Sequence, residues 1–143
     1  MKSIAAALIL LFTTIGSAVA CSCVFWDPEN HFKEAVSVVI AVPQATSIRT
    51  VLFEGRQIER QTIVWRVTER FKGPHPKGTT FTSRTVAANN CTYFFNQGDK
   101  IVLYLFDREP YRITACASVG PPVNDESSIR KIRALAGKYK NGT

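Results

Sequence analysis

The sequence has little of what an enzyme active site or a membrane anchor requires. Its 143 residues include only two histidines, His31 and His75, and neither has a second histidine or a carboxylate at metal-ligand spacing. No apolar run reaches the roughly 20 residues of a membrane-spanning helix. No cysteine pair has the two-residue spacing of thiol oxidoreductases, and no segment is repeated. We therefore expect no enzymatic activity and no cofactor, with both histidines at the surface.

What the chain does contain is enough apolar surface for one compact domain. Hydrophobic residues make up 45% of it, aromatic residues 10% and charged residues 20%, so a sizeable core can form. Lys and Arg number 18 against 11 Asp and Glu, a net charge of +7. Because the basic residues are spread along the chain without a clear aromatic-basic surface, we expect no nucleic-acid partner.

The first twenty residues (1–20) are typical of a cleaved secretory signal. Lys2 precedes an apolar run over 4–15, and a stretch of small residues ends at Ala20. Cleavage there would leave one domain, 21–143, with Cys21 as its N-terminal residue, secreted or periplasmic. A lipoprotein signal also ends before Cys but usually has Leu three residues earlier, where this chain has Ala18. We expect a membrane partner only if Cys21 carries lipid.

Four cysteines in an exported chain are expected to form disulfides: Cys21, Cys23, Cys91 and Cys116. Three pairings are possible. A bridge between Cys21 and Cys23 would close a ring of only three residues, which fits the Cα separation of a disulfide poorly. Both N-terminal cysteines are therefore expected to reach across to Cys91 and Cys116 in one pairing or the other, which would hold the N-terminus against the domain.

Hydrophobic alternation and turn residues predict about five strands and two helices. Asp27-Pro28-Glu29 predicts the start of a short helix ending near Glu34, and a second helix starts at 125–128 with apolar positions Ile129, Ile132, Leu135 and Tyr139. The predicted strands are 36–42, ending at Pro43, then 61–71, 79–86, 100–106 and 111–114, with 44–57 a long loop or a hairpin. In 61–71 the alternation places Ile63, Trp65 and Val67 on the core face, with Phe71 as a further candidate. This order suits a five-stranded closed barrel of the OB-fold type with flanking helices.

The second helix contains five basic residues and, after its first turn, no acidic residue. The basic residues are Arg130, Lys131, Arg133, Lys138 and Lys140. They could bind an anionic glycan or phospholipid headgroups. The simpler interpretation is a solvated helix face, because acid at the start and base at the end of a helix complement its dipole.

Several segments together resemble the N-terminal domain of the tissue inhibitors of metalloproteinases, which has the netrin-like fold. The resemblance spans nearly the whole of 21–143. It is carried by Cys21-Ser22-Cys23, His31-Phe32-Lys33-Glu34-Ala35, Val38-Val39-Ile40, Phe71-Lys72-Gly73, Cys91-Thr92-Tyr93-Phe94, Gly98-Asp99-Lys100, Val102-Leu103-Tyr104 and Cys116. It implies an OB-type barrel in which Cys21 pairs with Cys91 and Cys23 with Cys116.

The same resemblance implies a monomeric inhibitor of zinc metalloendopeptidases. In the family, the amino group and carbonyl of the first cysteine, here Cys21, chelate the target enzyme's zinc. The chemistry is sound, because a neutral amine and a carbonyl oxygen can displace the water at the open position of a catalytic zinc. Carried over to this chain, the cleft-contacting residues are Ser22, Cys23 and Val24, with Ala88, Asn89, Asn90 and Thr92 forming the other half of an inhibitory edge.

The chain departs from the family pattern in three ways. Lys33 follows Phe32 where the family has the cysteine of a third disulfide, and 44–57 has no recognisable contact motif. We also expect no counterpart of the family's C-terminal domain. Target specificity therefore does not transfer. The alternative function is a non-inhibitory module with the same fold, secreted or lipid-anchored, that binds the cell envelope or matrix.

Overall fold

A computed structural model describes residues 27–85 and 94–140, and the predicted signal at 1–20 lies outside them. The described residues form two helices, α1 (Pro28–Glu34) and α2 (Glu126–Lys140), and five strands. The strands are β1 (Ser37–Phe53), β2 (Arg56–Lys72), β3 (Thr80–Thr85), β4 (Ile101–Leu105) and β5 (Tyr111–Ile113). The predicted order of a helix, five strands and a second helix is confirmed.

The strands form one sheet in the order β4-β1-β2-β3-β5. Neighbouring strands are antiparallel except β3 and β5, which are parallel. After β5 the chain comes back alongside β4, where Leu103 forms a bridge with Val119 and the Tyr104 N–H donates to the Ser118 carbonyl at 2.8 Å. This segment brings the two ends of the sheet together. The fold is therefore a nearly closed five-stranded barrel, as the OB-type prediction requires.

The barrel interior is filled from alternate positions of the strands. Trp65 packs edge to face on Phe95, with ring centroids 5.1 Å apart, and stacks on Phe81. Its indole N–H donates to the Ser83 hydroxyl at 2.7 Å, so burial leaves the indole satisfied. The other fully enclosed apolar residues of this core are Val39, Ala41, Ile63, Val67, Leu103, Leu105, Tyr111 and Ile113. The predicted inward face of the second strand is confirmed for Ile63, Trp65 and Val67, whereas Phe71 packs on the outer side of the sheet against the helices.

A second core lies between the helices and the outer side of β1 and β4. Phe32 of α1 and Ile129 and Ile132 of α2 are buried there. They pack with Val38, Ile40, Val102 and Tyr104. The Asp27 carboxylate caps α1 by accepting the Glu29 N–H at 3.0 Å, as the sequence predicted. Neither helix in the described part of the chain is long and apolar enough to cross a membrane.

The first strand does not end at Pro43. Its pairing with β2 shifts register between Pro43 and Ala45, so that Gln44 is an extra residue in the ladder, and the strand then continues to Phe53. A proline has no N–H to give to the ladder and is tolerated where a bulge interrupts it. The predicted stop was therefore wrong, and the bulge is its physical reason.

Residues 44–57 adopt the hairpin, the second of the two alternatives. Glu54 and Gly55 form its turn with φ values of 49° and 76°, and β2 begins at Arg56 rather than at Gln61. Strand β4 pairs only with 37–41 of β1, and β3 pairs only with 62–66 of β2. Residues 45–60 thus extend past the described parts of both neighbouring strands as a two-stranded projection, here named the hairpin arm.

Candidate inhibitory edge

The residues predicted to contact a protease lie outside the described residues. Both groups are affected: Cys21, Ser22, Cys23 and Val24 at the N-terminus, and Ala88, Asn89, Asn90, Cys91 and Thr92 after β3. The structure does describe the elements to which these two segments are attached. Helix α1 follows the first segment. Thr85 and Phe95 lie on either side of the second segment, and Cys116 lies in a turn after β5.

Gln61 anchors the chain that follows the second segment. Its side-chain NH2 donates to the Phe95 carbonyl at 2.7 Å, and its Oε1 accepts the Phe95 N–H at 2.9 Å. The amide therefore pairs with Phe95 as a neighbouring strand would. Gln61 and Phe95 are both buried, where polar groups require hydrogen-bonding partners.

The same residue anchors the chain that leads into the second segment. The Gln61 N–H donates to Oγ1 of Thr85 at 3.0 Å, and Thr85 is the last residue of β3 and is buried. Gln61 therefore holds the described residues on both sides of 86–93, Thr85 before them and Phe95 after them.

Cys116 lies at the same edge of the barrel as the start of that connection. Thr85 is the register partner of Ile113, and because β3 and β5 are parallel, the chain leaves both strands in the same direction. A turn then carries Cys116, closed by the Ser118 N–H donating to the Thr114 carbonyl at 3.1 Å. Cys116 is not a free thiol. The pairings predicted for it and for Cys21 involve residues outside the described part and stay predictions.

Helix α1, which follows the N-terminal segment, is capped at its C-terminus by a distant lysine. Lys72 Nζ donates to the carbonyls of Phe32 and Lys33, each at 2.8 Å, and lies 5.7 Å from the centre of the Phe32 ring. These are carbonyls that a helix end leaves without an intrahelical partner. Partial burial lowers the pKa of the Lys72 ammonium.

A second contact ties α1 to the far end of α2. Lys138 Nζ donates to the Glu29 carboxylate at 2.7 Å, and the Tyr139 hydroxyl donates to the same oxygen at 3.3 Å. The hydrogen bond from Lys138 lowers the pKa of Glu29. Another basic residue of α2, Arg133, makes a two-bonded ion pair with Glu69 at 2.9 and 3.0 Å. Arg133 thus ties α2 to the barrel, and Lys138 ties it to α1.

The two histidines are packed against aromatic rings rather than at the open surface. His75 Nε2 lies 2.7 Å from the Tyr111 hydroxyl, and its ring lies 5.0 Å from that of Phe81. Burial lowers the pKa of His75, an effect that nearby Glu109 partly opposes. His31 makes edge contacts with Tyr104 and Phe106. Over 27–85 and 94–140, no group of three His, Cys, Asp or Glu residues is placed to hold a metal ion.

Sequence reasoning missed Gln61 as a site-organising residue. A signal was present, because Gln61 stands at an inward position of the alternation that continues through Ile63, Trp65 and Val67. A polar side chain on a core face requires a buried hydrogen-bonding partner. The identity of that partner, 34 residues away along the chain, depends on the closure of the barrel.

No protein-family model and no curated protein sequence matches the chain.

Proposed function

We propose that this protein is a secreted inhibitor of zinc metalloendopeptidases that presents the amino group and carbonyl of Cys21 to the zinc of its target. The observation that best supports the proposal is that Gln61 binds both Thr85 and Phe95, which lie on either side of 86–93 in the chain. An inhibitor that fills an active-site cleft needs a rigid edge, because ordering a mobile segment on binding costs affinity. The OB-type barrel that the resemblance implies is also the fold of this chain.

The proposed chemistry needs a free and neutral amine. An α-amino group has a pKa of about 7.7 to 8.0, so the neutral form is accessible near pH 7 to 8. With the carbonyl of the same residue it forms a chelate at the open position of a catalytic zinc and displaces the water that would attack the substrate. The inhibitor supplies no metal of its own, and the zinc belongs to the target enzyme.

The N-terminal segment is expected to be positioned by α1 and by two disulfides. Lys72 holds α1 on the barrel and Lys138 holds it on α2, and the cysteine pairings of Cys21 with Cys91 and Cys23 with Cys116 would hold the residues before it. Cys21 would then lie beside Asn90 and Thr92. Ser22 and Val24 would extend along the cleft from the zinc.

The test compares the mature protein beginning at Cys21 with a form that carries one additional alanine before it. Each is titrated against a panel of zinc endopeptidases with a fluorogenic peptide substrate. We expect the extended form to inhibit at least about 100-fold more weakly, because its N-terminal amine is displaced from the zinc and the Cys21 nitrogen has become an amide. Unchanged urea unfolding of the two forms is the control for folding.

A serine protease serves as the specificity control for the same titration, since it has no zinc to chelate. Equal inhibition by the native and the extended forms would contradict chelation. Absence of inhibition by the folded, unextended protein across the panel would favour the alternative of a non-inhibitory binding module.

A further inference from the structure

One face of the sheet is rich in arginine. In a strand, alternate residues point to opposite sides, and directly paired residues share a side. Gln61, Ile63 and Trp65 point into the barrel, so the even-numbered residues between them point outward, as do their partners on β1 and β3. We call this side of the hairpin arm, β2, β3 and β5 the arginine face. Its arginines are Arg49, Arg56, Arg60, Arg66, Arg84 and Arg112.

The register places arginines directly opposite one another in two places. Arg49 of β1 is paired with Arg60 of β2, and Arg84 of β3 is paired with Arg112 of β5. Like charges directly opposite in a sheet are destabilising. Arg84 is also paired with Thr62, two residues from Arg60, so the two arginine pairs lie on adjoining parts of one surface.

Neutralising partners are scarce on this face. At the outward positions of the described strands 45–53, 56–66 and 80–85, no residue is acidic. Arg112 has Asp107 at 3.8 Å, with both side chains well exposed. By contrast, Arg133 and Lys138 of α2 each have a carboxylate within 3 Å. The Glu109 carboxylate also lies against β3, where it accepts the Thr82 N–H at 2.6 Å. Arg49 and Arg60 form no ion pair with a described residue, and such uncompensated like charge is expected of a surface that meets an external anion.

The hairpin arm ends in apolar side chains on both of its sides. Leu52 is 74% exposed and Phe53 39% exposed, and as consecutive strand residues they point in opposite directions. Val51 and Ile58, a register pair behind Phe53, are half-buried. A protein partner packed on one side of the arm would leave the other apolar side chain in water. Insertion of the tip into an apolar layer would cover both.

We propose that the arginine face and the tip of the hairpin arm together bind the surface of an anionic phospholipid bilayer. The guanidinium groups would bind lipid phosphates, for which their planar fork of donors is suited, while Leu52 and Phe53 enter the boundary between headgroups and acyl chains. Phe53 is the one aromatic residue at the outward positions of the described arm, so stacking on single-stranded nucleic acid has little basis. A sulfated glycan would bind the arginines but would leave Leu52 and Phe53 exposed to water.

Vesicle flotation tests the proposal with the complete mature chain. Vesicles of phosphatidylcholine alone are compared with vesicles that also contain phosphatidylglycerol. We expect binding only to the second kind, and weaker binding as salt is raised. The double variant R49Q/R60Q should bind about 30-fold more weakly, which is the effect of two cations near a charged membrane surface. Its matched control is R130Q/K131Q, which removes the same charge from exposed positions of α2 and should change binding less than about threefold.

The tip variant L52S/F53S distinguishes a bilayer from a soluble polyanion. It should lose at least tenfold in binding to phosphatidylglycerol vesicles, because two apolar side chains no longer enter the interface, yet keep its binding to heparin-agarose. Equal vesicle binding by wild type and L52S/F53S would overturn the bilayer assignment in favour of a glycan. If R49Q/R60Q and R130Q/K131Q lost vesicle binding equally, net charge alone would explain the binding and the role of the arginine face would be contradicted.

A folding measurement on R49Q/R60Q completes the test. Because the substitution removes a like-charge pair, its free energy of unfolding should equal or exceed that of the wild type. A clear loss of stability would give these arginines a structural role and contradict the proposal. The inference does not depend on protease inhibition, and an Ala-extended protein should bind vesicles as well as the native form does.

Discussion

Gln61 and Phe95 are joined by two hydrogen bonds of 2.7 and 2.9 Å between a side-chain amide and a main-chain peptide. Both residues are buried, so neither the carbonyl nor the N–H of Phe95 has water as a substitute. The substitution Gln61→Leu should therefore destabilise the fold by about 2–5 kcal/mol, since it removes two buried hydrogen bonds to the main chain of Phe95. Urea unfolding measures the difference.

Gln57→Leu is the matched control for that substitution. Gln57 points to the same side of β2 as Gln61 but lies on the exposed hairpin arm. Its replacement should change the free energy of unfolding by less than about 0.5 kcal/mol. If the two variants proved equally stable, Gln61 would not be the anchor of Phe95.

Ser83→Ala removes the acceptor of the Trp65 indole. The two atoms are 2.7 Å apart, and both residues are completely buried, so the indole N–H would be left without a hydrogen bond. We expect a loss of about 1–3 kcal/mol in the free energy of unfolding. The double variant with Trp65→Phe should cost less than the sum of the single variants, because the N–H is then absent as well. Strict additivity would mean that the bond contributes nothing.

Two glycines with nearly the same backbone conformation differ in their surroundings. Gly73 has φ +93° and Gly78 has φ +90°, but a Cβ at Gly73 would lie 2.5 Å from the Val36 carbonyl oxygen, whereas nothing lies within 4 Å of one at Gly78. Gly78→Ala should cost about 1–2 kcal/mol from the backbone conformation alone. Gly73→Ala should cost at least about 2 kcal/mol more, because the clash is with main chain. Similar unfolding midpoints for the two variants would contradict the close approach at Gly73.

His75 should make the protein less stable in mild acid. Burial lowers its folded-state pKa below the ordinary value of 6.5, so the unfolded chain binds the proton more readily. The contribution of neutral His75 to the free energy of unfolding is fully present above pH 6.5. It decreases as the pH falls below that value, and the decrease stops once the pH is below the folded-state pKa. Urea unfolding of the wild type and His75→Gln should be measured across this pH range. The free energy of unfolding of the wild type, relative to that of His75→Gln, should fall as the pH is lowered. A difference independent of pH would contradict this.

Alternation and turn residues were sufficient to predict the barrel, because the strands that build it have one face in the core. Trp65 and Val67 are inward as predicted, and the capping role of Asp27 needs only local sequence. The continuation past Pro43 could not be predicted, since a bulge depends on the register with β2. Both histidines were expected at the surface and are instead packed among aromatic rings that other strands supply.

The arginine face could not be predicted from the sequence, because it too depends on the register between strands. Arg49 and Arg60 are 11 positions apart, and Arg84 and Arg112 belong to separate strands, so a linear scan finds scattered basic residues. Only the cross-strand register gathers them on one side. The hydrogen bonds of Gln61 with Thr85 and Phe95 could not be predicted from the sequence either, because they form only when the barrel closes.

The capping of α1 has a consequence for the order in which the protein folds. A helix of seven residues is too short to persist alone, and its stabilising partners Lys72 and Lys138 lie 40 and 109 residues away from the groups they bind. We therefore expect α1 to become stable only after β2 has joined the sheet and α2 has docked. A part of the chain that is synthesised early would then be completed late. If Cys21 and Cys23 pair as proposed, they would meet their partners on a barrel already built, which would lower the chance of wrong disulfides.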